Sequence, residues 1–413
     1  MKELNLLGNH SLDREHLLYL ERFTSIQTLC LSHQFHLDEG ILQTLSEIPT
    51  IRHLNVTVRL GKGDRKGALD FGDCFQGLRT LELRGKHKDV SDVFIAMSAP
   101  HLHLIALDFT DPPSTNVPNS PFSTIVPHIP NTVTGFSCAF CAVLDPLPKS
   151  LSDLLGPLPP RLPNLASFDL TSEKSPLSVT NDDLAQLSDA WPLLAHLNVR
   201  VTVSAARFNL QTVRRPDVHG LAALAQRCPQ LETLHLPELD IDKPSPSGNG
   251  PDAVEKAPVP IPFLSHRLKE LLVQSVSLAP TKAQHEAAVA LDMLFPYLDL
   301  RTMRPGQGGA ATATGGAWAT IWRTLEIMRW GRQNRALAEG GCDAAVPEVP
   351  DMPAEPGGVR RRLLPPVAHA HALLQPVQQM PPPPPPPPLP LPIFNANDLH
   401  AVMVDDDSGT ESE

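Results

Sequence analysis

Apolar residues in the first part of the chain recur in a six-residue pattern, L-x-x-L-x-L, with Leu, Ile, Val, Phe or Met at most of the L positions. Copies begin at Met1 (MKELNL), Ile26 (IQTLCL), Ile51 (IRHLNV), Leu78 (LRTLEL), Leu104 (LIALDF), Val133 (VTGFSC), Leu165 (LASFDL), Leu194 (LAHLNV), Leu231 (LETLHL) and Leu268 (LKELLV). Alternation around the second L predicts a strand that sends its leucines into the core and leaves the residues flanking the second L on the other face. The outward pairs flanking the second L include Glu3 and Asn5, His53 and Asn55, Thr80 and Glu82, Ser167 and Asp169, His196 and Asn198, and Thr233 and His235. Between copies the period changes: residues 12–23, 37–48, 182–190 and 282–295 place apolar side chains three and four apart, which predicts helices. Ser11 and Thr180 stand where N-caps are expected, and Pro49, Pro100, Pro192, Pro229 and Pro296 mark where helices must already have stopped.

The unit is therefore strand, loop, helix and turn, and it repeats. Successive starts are 25, 25, 27, 26, 29, 32, 29, 37 and 37 residues apart. Spacings of about 20 to 29 residues are those of leucine-rich repeats, and the longer ones call for loop insertions. One unit cannot bury both its strand edge and its helix stripe, whereas stacked units bury them in one continuous core. The expected fold is α/β: a leucine-rich-repeat solenoid over residues 1–300, with a curved parallel sheet and helices on the convex side. Cys138 and Cys141 form a C-x-x-C, but they also fit the repeat, whose ninth position takes Asn or Cys; Asn9 holds the same place in the first copy. Cys138 is thus expected in the core and Cys141 as a buried turn residue, not as half of a zinc or redox site.

Composition changes the picture only beyond residue 300. Residues 1–300 hold 52 leucines and residues 301–413 hold 9, while 17 of the 45 prolines lie in 346–392. Residues 301–317 (with GQGGAATATGG) read as a Gly-rich linker and 341–413 as a disordered, proline-rich and acidic tail. Between them, at 318–340, Trp318, Ile321, Trp322, Leu325, Met328 and Trp330 make a helical stripe suited to capping the open end of the solenoid. In the tail, Pro381–Pro388 predicts a polyproline II rod, a ligand for SH3 or WW modules or a plain spacer. Ser408 and Thr410 each precede a glutamate by three positions, as acidophilic kinases read.

The chain carries 34 basic and 45 acidic residues, net −11, which argues against a nucleic-acid backbone binder. With no signal peptide or apolar run of membrane length in view, a cytoplasmic or nuclear protein that binds neither nucleic acid nor membrane is expected. No nucleophile, base and orienter can be assembled, the Gly-rich run has no Gly-Lys-Ser/Thr, and His369 and His371 are too few for a metal site. No enzyme activity, metal or cofactor is expected. What remains is the polar strand face, whose candidate protein-binding residues are His53, Asn55, Glu82, Arg84, Asp108, Asp169, His196, Asn198, Arg200, His235 and Glu270.

An Ala or Cys, then Pro, then L-x-x-L-x-L, as in DAWPLLAHLNV and RCPQLETLHL, resembles the leucine-rich half of fungal F-box/leucine-rich-repeat proteins. That resemblance implies a curved solenoid that recruits a protein for ubiquitination, with a ligase adaptor as second partner where an F-box precedes the repeats. Here Met1 already occupies the first position of a repeat, and no Leu-Pro-x-Glu-type F-box start is present. The alternative expectation is a scaffold outside the ligase system whose proline tail recruits SH3 or WW modules.

Overall fold

The computed structural model describes residues 2–6, 25–61, 69–72, 74–111, 120–144, 150–202, 215–241, 264–276, 281–300 and 315–340. The first expected helix, Asn9, most of the Gly-rich linker and the tail lie outside the described residues. The copies of the pattern form strands β1 (Glu3–Leu6), β2 (Thr28–Leu31), β4 (His53–Val58), β5 (Thr80–Gly85), β6 (Leu104–Phe109), β7 (Gly135–Phe140), β8 (Ser167–Ser172), β9 (His196–Val201), β10 (Thr233–Leu239) and β11 (Glu270–Val276). A short β3 (His36–Leu37) lies beside β4, continuing along it the line that β2 begins. All pairings are parallel, and the strand order follows the chain. Because neighbouring strands are parallel, each connection must cross back so that the next strand enters from the same end.

Nine copies put the strand two residues after their first apolar position. The fifth does not. β6 pairs Leu104 with Thr80 and Leu107 with Leu83, so this copy begins at Leu102 rather than Leu104. Leu102, Ile105 and Leu107 are buried, whereas Leu104 is 47% exposed on the outward side. A slip of two residues keeps every side chain on its own face. Leucine at both 102 and 104 satisfies either reading, and only the neighbouring strand's register separates them.

Between strands lie helices α1 (Glu39–Ser46), α2 (His87–Ala96), α3 (Leu151–Leu155), α4 (Leu158–Arg161), α5 (Asn181–Ala190) and α6 (Val218–Arg227), and α7 (Thr281–Leu294) and α8 (Gly315–Gly340) follow β11. Between β6 and β7 the described residues hold a 3₁₀ turn, Val126–His128. Thr180 caps α5 in a full capping box with Asp183, and α1, α2, α5, α6 and α7 all end before the prolines named above. Asp183 is buried and does more than cap: Oδ2 accepts from the Thr180 N–H at 2.7 Å and Oδ1 from the Ser152 N–H at 2.8 Å, one repeat back. Similar ties recur along the stack. Trp191 Nε1 donates to the Pro159 carbonyl at 3.1 Å, Arg161 Nε to that of Ile129 at 3.1 Å, and His266 Nε2 lies 2.9 Å from the Cys228 carbonyl.

The core is one cluster running from Ile26 to Leu325. Its middle is aromatic. Phe109, Phe122, Phe136, Phe140, Phe168 and Trp191 follow one another at centroid distances of 5.0 to 6.2 Å, a range in which ring pairs add to burial. At the C-terminal end α8 packs on α7 and β11, burying Trp318, Ile321 and Leu325 and leaving Ile327 and Trp330 exposed. The helix starts at Gly315, three residues inside the expected linker, and Ala317 in that added first turn is buried. Arg332 Nη2 ties α8 to Asp292 Oδ1 of α7 at 2.7 Å. Among the described residues no helix is long and apolar enough to cross a membrane.

Candidate protein-binding face

Alternation along the strands and register between them place the outward residues in rows that run across the sheet. The first row holds His53, Thr80, Leu104, Gly135, Ser167, His196, Thr233 and Glu270. In the second are Asn5, Cys30, Asn55, Glu82, Ala106, Ser137, Asp169, Asn198, His235 and Leu272. The third holds Thr57, Arg84, Asp108, Ala139, Thr171 and Arg200. All eleven candidate residues lie on this face, but they form three separate groups.

The largest group spans β8 to β11. Asn198 Nδ2 donates to Asp169 Oδ2 at 2.5 Å, and Asn198 Oδ1 accepts from Arg200 Nε at 3.1 Å. Arginine can only donate and a carboxylate only accepts, so these two contacts fix the orientation of the Asn198 amide. His235 Nδ1, 3.1 Å from the same Oδ1, must therefore carry its proton. His235 Nε2 lies 3.1 Å from Glu270 Oε1 but off the line of a hydrogen bond. His235 is half-buried and Asn198 is buried, although alternation alone had put both in the open. Neighbouring side chains in the row cover them. His196, exposed at the edge, meets Thr233 Oγ1 at 3.2 Å.

The second group joins β5, β6 and the end of β7. Arg84 Nε stands 3.2 Å from Asp108 Oδ2, and Cys141 Sγ donates to Asp108 Oδ1 at 3.1 Å. The strand register moves Asp108 beside Arg84 rather than Glu82. Cys141 is half-exposed, not the buried turn residue expected from the repeat, because its thiol turns out to Asp108 while Cys138 stays in the core. Burial and the Asp108 carboxylate push the Cys141 thiol up to about 12. The third group is a pair: Asn55 Nδ2 donates to Glu82, and His53 stands exposed beside it. Partial burial, with Glu82 and Glu3 nearby, pushes the Cys30 thiol up.

Residues not singled out in the sequence complete the face. Gln274 Oε1 accepts from the Val201 N–H at 3.2 Å, where the pairing of β9 with β10 has stopped after His235. Pro237, buried in β10 and without an N–H, is the visible signal for that break. Glu238 pairs with Arg215 at 2.6 Å. Among the described residues no group of three or more His, Cys, Asp or Glu side chains is arranged to hold a metal ion.

No protein-family model and no curated protein matches this chain. Among solved structures, the leucine-rich repeat-containing protein LegL7 from Legionella pneumophila is similar to it at 13% identity and a TM-score of 0.30, over 79% of this chain and 97% of that one. The leucine-rich-repeat architecture rests on the chain's own register: parallel strands in chain order, one per repeat save for the divided β2 and β3.

Proposed function

We propose that this protein is a non-enzymatic interaction module that binds another protein on its open strand face. One observation carries the reading. Three rows of outward side chains, most of them polar or small, lie in register across the sheet. The charged outward positions Glu3, Glu82, Asp108, Asp169 and Glu270 outnumber Arg84 and Arg200, and both arginines stand within 4 Å of an aspartate. A mildly acidic face suits a partner with basic side chains, since charge complementarity sets encounter rate and rejects wrong partners.

The finer reading is the substrate-recruiting part of an F-box ubiquitin-ligase receptor, supported by the sequence resemblance. The Pro381–Pro388 run favours a second one, a scaffold whose tail recruits SH3 or WW modules. Photo-crosslinking in native cells tests the face. A photoreactive residue at Ser137 is expected to capture a partner that the same residue at Gln186, on the helix side, does not. Capture from Gln186 alone would move binding off the strands. Recovery of a ligase adaptor and cullin with the captured protein supports the ligase reading, whereas recovery of proline-binding modules, lost on deleting 381–392, supports the scaffold.

A further inference from the structure

The second row has a feature that the other two lack. Glu82, Ala106, Ser137 and Asp169 are consecutive partners on β5, β6, β7 and β8, with a carboxylate at each end and small side chains between. Each carboxylate has one oxygen engaged by an asparagine, Glu82 Oε2 by Asn55 and Asp169 Oδ2 by Asn198. Glu82 Oε1 and Asp169 Oδ1 have no hydrogen-bond partner among the described residues. Beside the small pair stands Leu104, the exposed leucine of the slipped repeat. It lies flat across Gly135, where a Cβ would come within 2.4 Å of Leu104 Cδ2. Glycine there keeps the apolar surface low and open.

We propose, resting on the reading of the strand face as the binding surface, that this row receives an extended segment of the partner with the pattern basic-x-apolar-x-basic, running across the strands. The dimensions match. Strands lie about 4.8 Å apart, so Glu82 and Asp169, three strands apart, are separated by about 14 Å. An extended chain rises about 3.3 Å per residue and turns alternate side chains the same way, so residues i, i+2 and i+4 face the sheet together over about 13 Å. The apolar side chain sits over Ala106 and Ser137 against Leu104. The two basic groups then reach the unengaged oxygens of Glu82 and Asp169.

Fluorescence anisotropy on the full chain tests this with two synthetic peptides of equal composition in Gly/Ser flanks, Lys-Ser-Leu-Ser-Lys and Lys-Lys-Leu-Ser-Ser. The first is expected to bind at least threefold more tightly than the second. Ser137→Trp, which fills the space between the carboxylates, is expected to weaken it at least fivefold, and Glu82→Gln or Asp169→Asn severalfold. Gln186→Ala on the helix side should leave it unchanged. Equal binding of the two peptides, or binding indifferent to the substitutions in the row, would overturn the inference. Should Ser137→Trp fail to fold, the two carboxylate variants carry the test alone. Indifference of the peptides combined with a productive crosslink from Ser137 would remove this footprint while leaving the face as the binding surface; loss of both removes the face as well.

Discussion

Leu234 and His235 are chain neighbours in β10 that belong to opposite sides of the sheet. Leu234 is fully buried between repeats. His235 is half-buried among Asn198 and Glu270, held by polar contacts that water can replace. Where the outward residue is polar the contrast recurs along the sheet: the inward residue is fixed by packing, which is costly to disturb, and the outward one by hydrogen bonds or ion pairs of small net worth. A solenoid can therefore vary one set for recognition while the other maintains the stack.

The inward set should give the largest effects. Phe136, buried between Phe122 and Phe168, is expected to lose about 3 to 5 kcal/mol on truncation to alanine. Leu234→Ala should cost about 2 to 5 kcal/mol. Both are read from denaturant midpoints, and a loss below 1 kcal/mol at either site would break the assignment of inward positions.

Gly220→Ala sharpens the comparison on the helix side. A Cβ at Gly220 would meet Asn181 Oδ1 at 1.9 Å, the atom that accepts from the Asp217 N–H of the next repeat. A cost of about 1 to 3 kcal/mol is expected, as for other overpacked sites. A neutral result would show that adjacent repeats slide freely there.

Outward substitutions come next. His235→Ala should cost about 0.5 to 1.5 kcal/mol, since one side-chain hydrogen bond is lost. That is more than the near-zero value suggested by alternation alone and less than the cost at its neighbour. Arg84→Ala removes a partly exposed ion pair and should stay within about 1 kcal/mol. A reversed ranking of 234 and 235 would mean the strand is turned over.

Thiol chemistry probes the outward side directly. Cys141 titrates at about 12, above the 9.0 of an ordinary thiol, so raising the pH from 7 to 10 should leave it protonated and slow to alkylate. Asp108→Asn removes the carboxylate that disfavours the thiolate, and alkylation at pH 9 should then speed up. An unchanged rate would place the Cys141 thiol away from Asp108.

The repeat, the parallel order and the capped helix α5 were legible because period-2 and period-3.6 patterns are local. Register between strands was not. It decides whether Leu102 or Leu104 opens the fifth copy, and hence that Asp108 meets Arg84. Burial on the outward face was equally hidden, since Asn198 is covered by side chains 29 to 37 residues away. Cys141 obeyed the consensus position yet turned outward, where its thiol donates to a carboxylate one repeat back. The start of α8 at Gly315 overrode the low helix propensity of glycine through the packing of Ala317 and Trp318.

The division of labour between the two faces is tested most directly by Glu82→Lys combined with Asp169→Lys, measured for unfolding and for partner capture on the same preparation. Both side chains are outward, so the midpoint should correspond to a change of no more than about 1 kcal/mol, while capture of the protein crosslinked from Ser137 is lost. Capture that persists in the double variant and disappears on deleting 381–392 would contradict the account, and would place recognition in the proline-rich segment instead of on the strands.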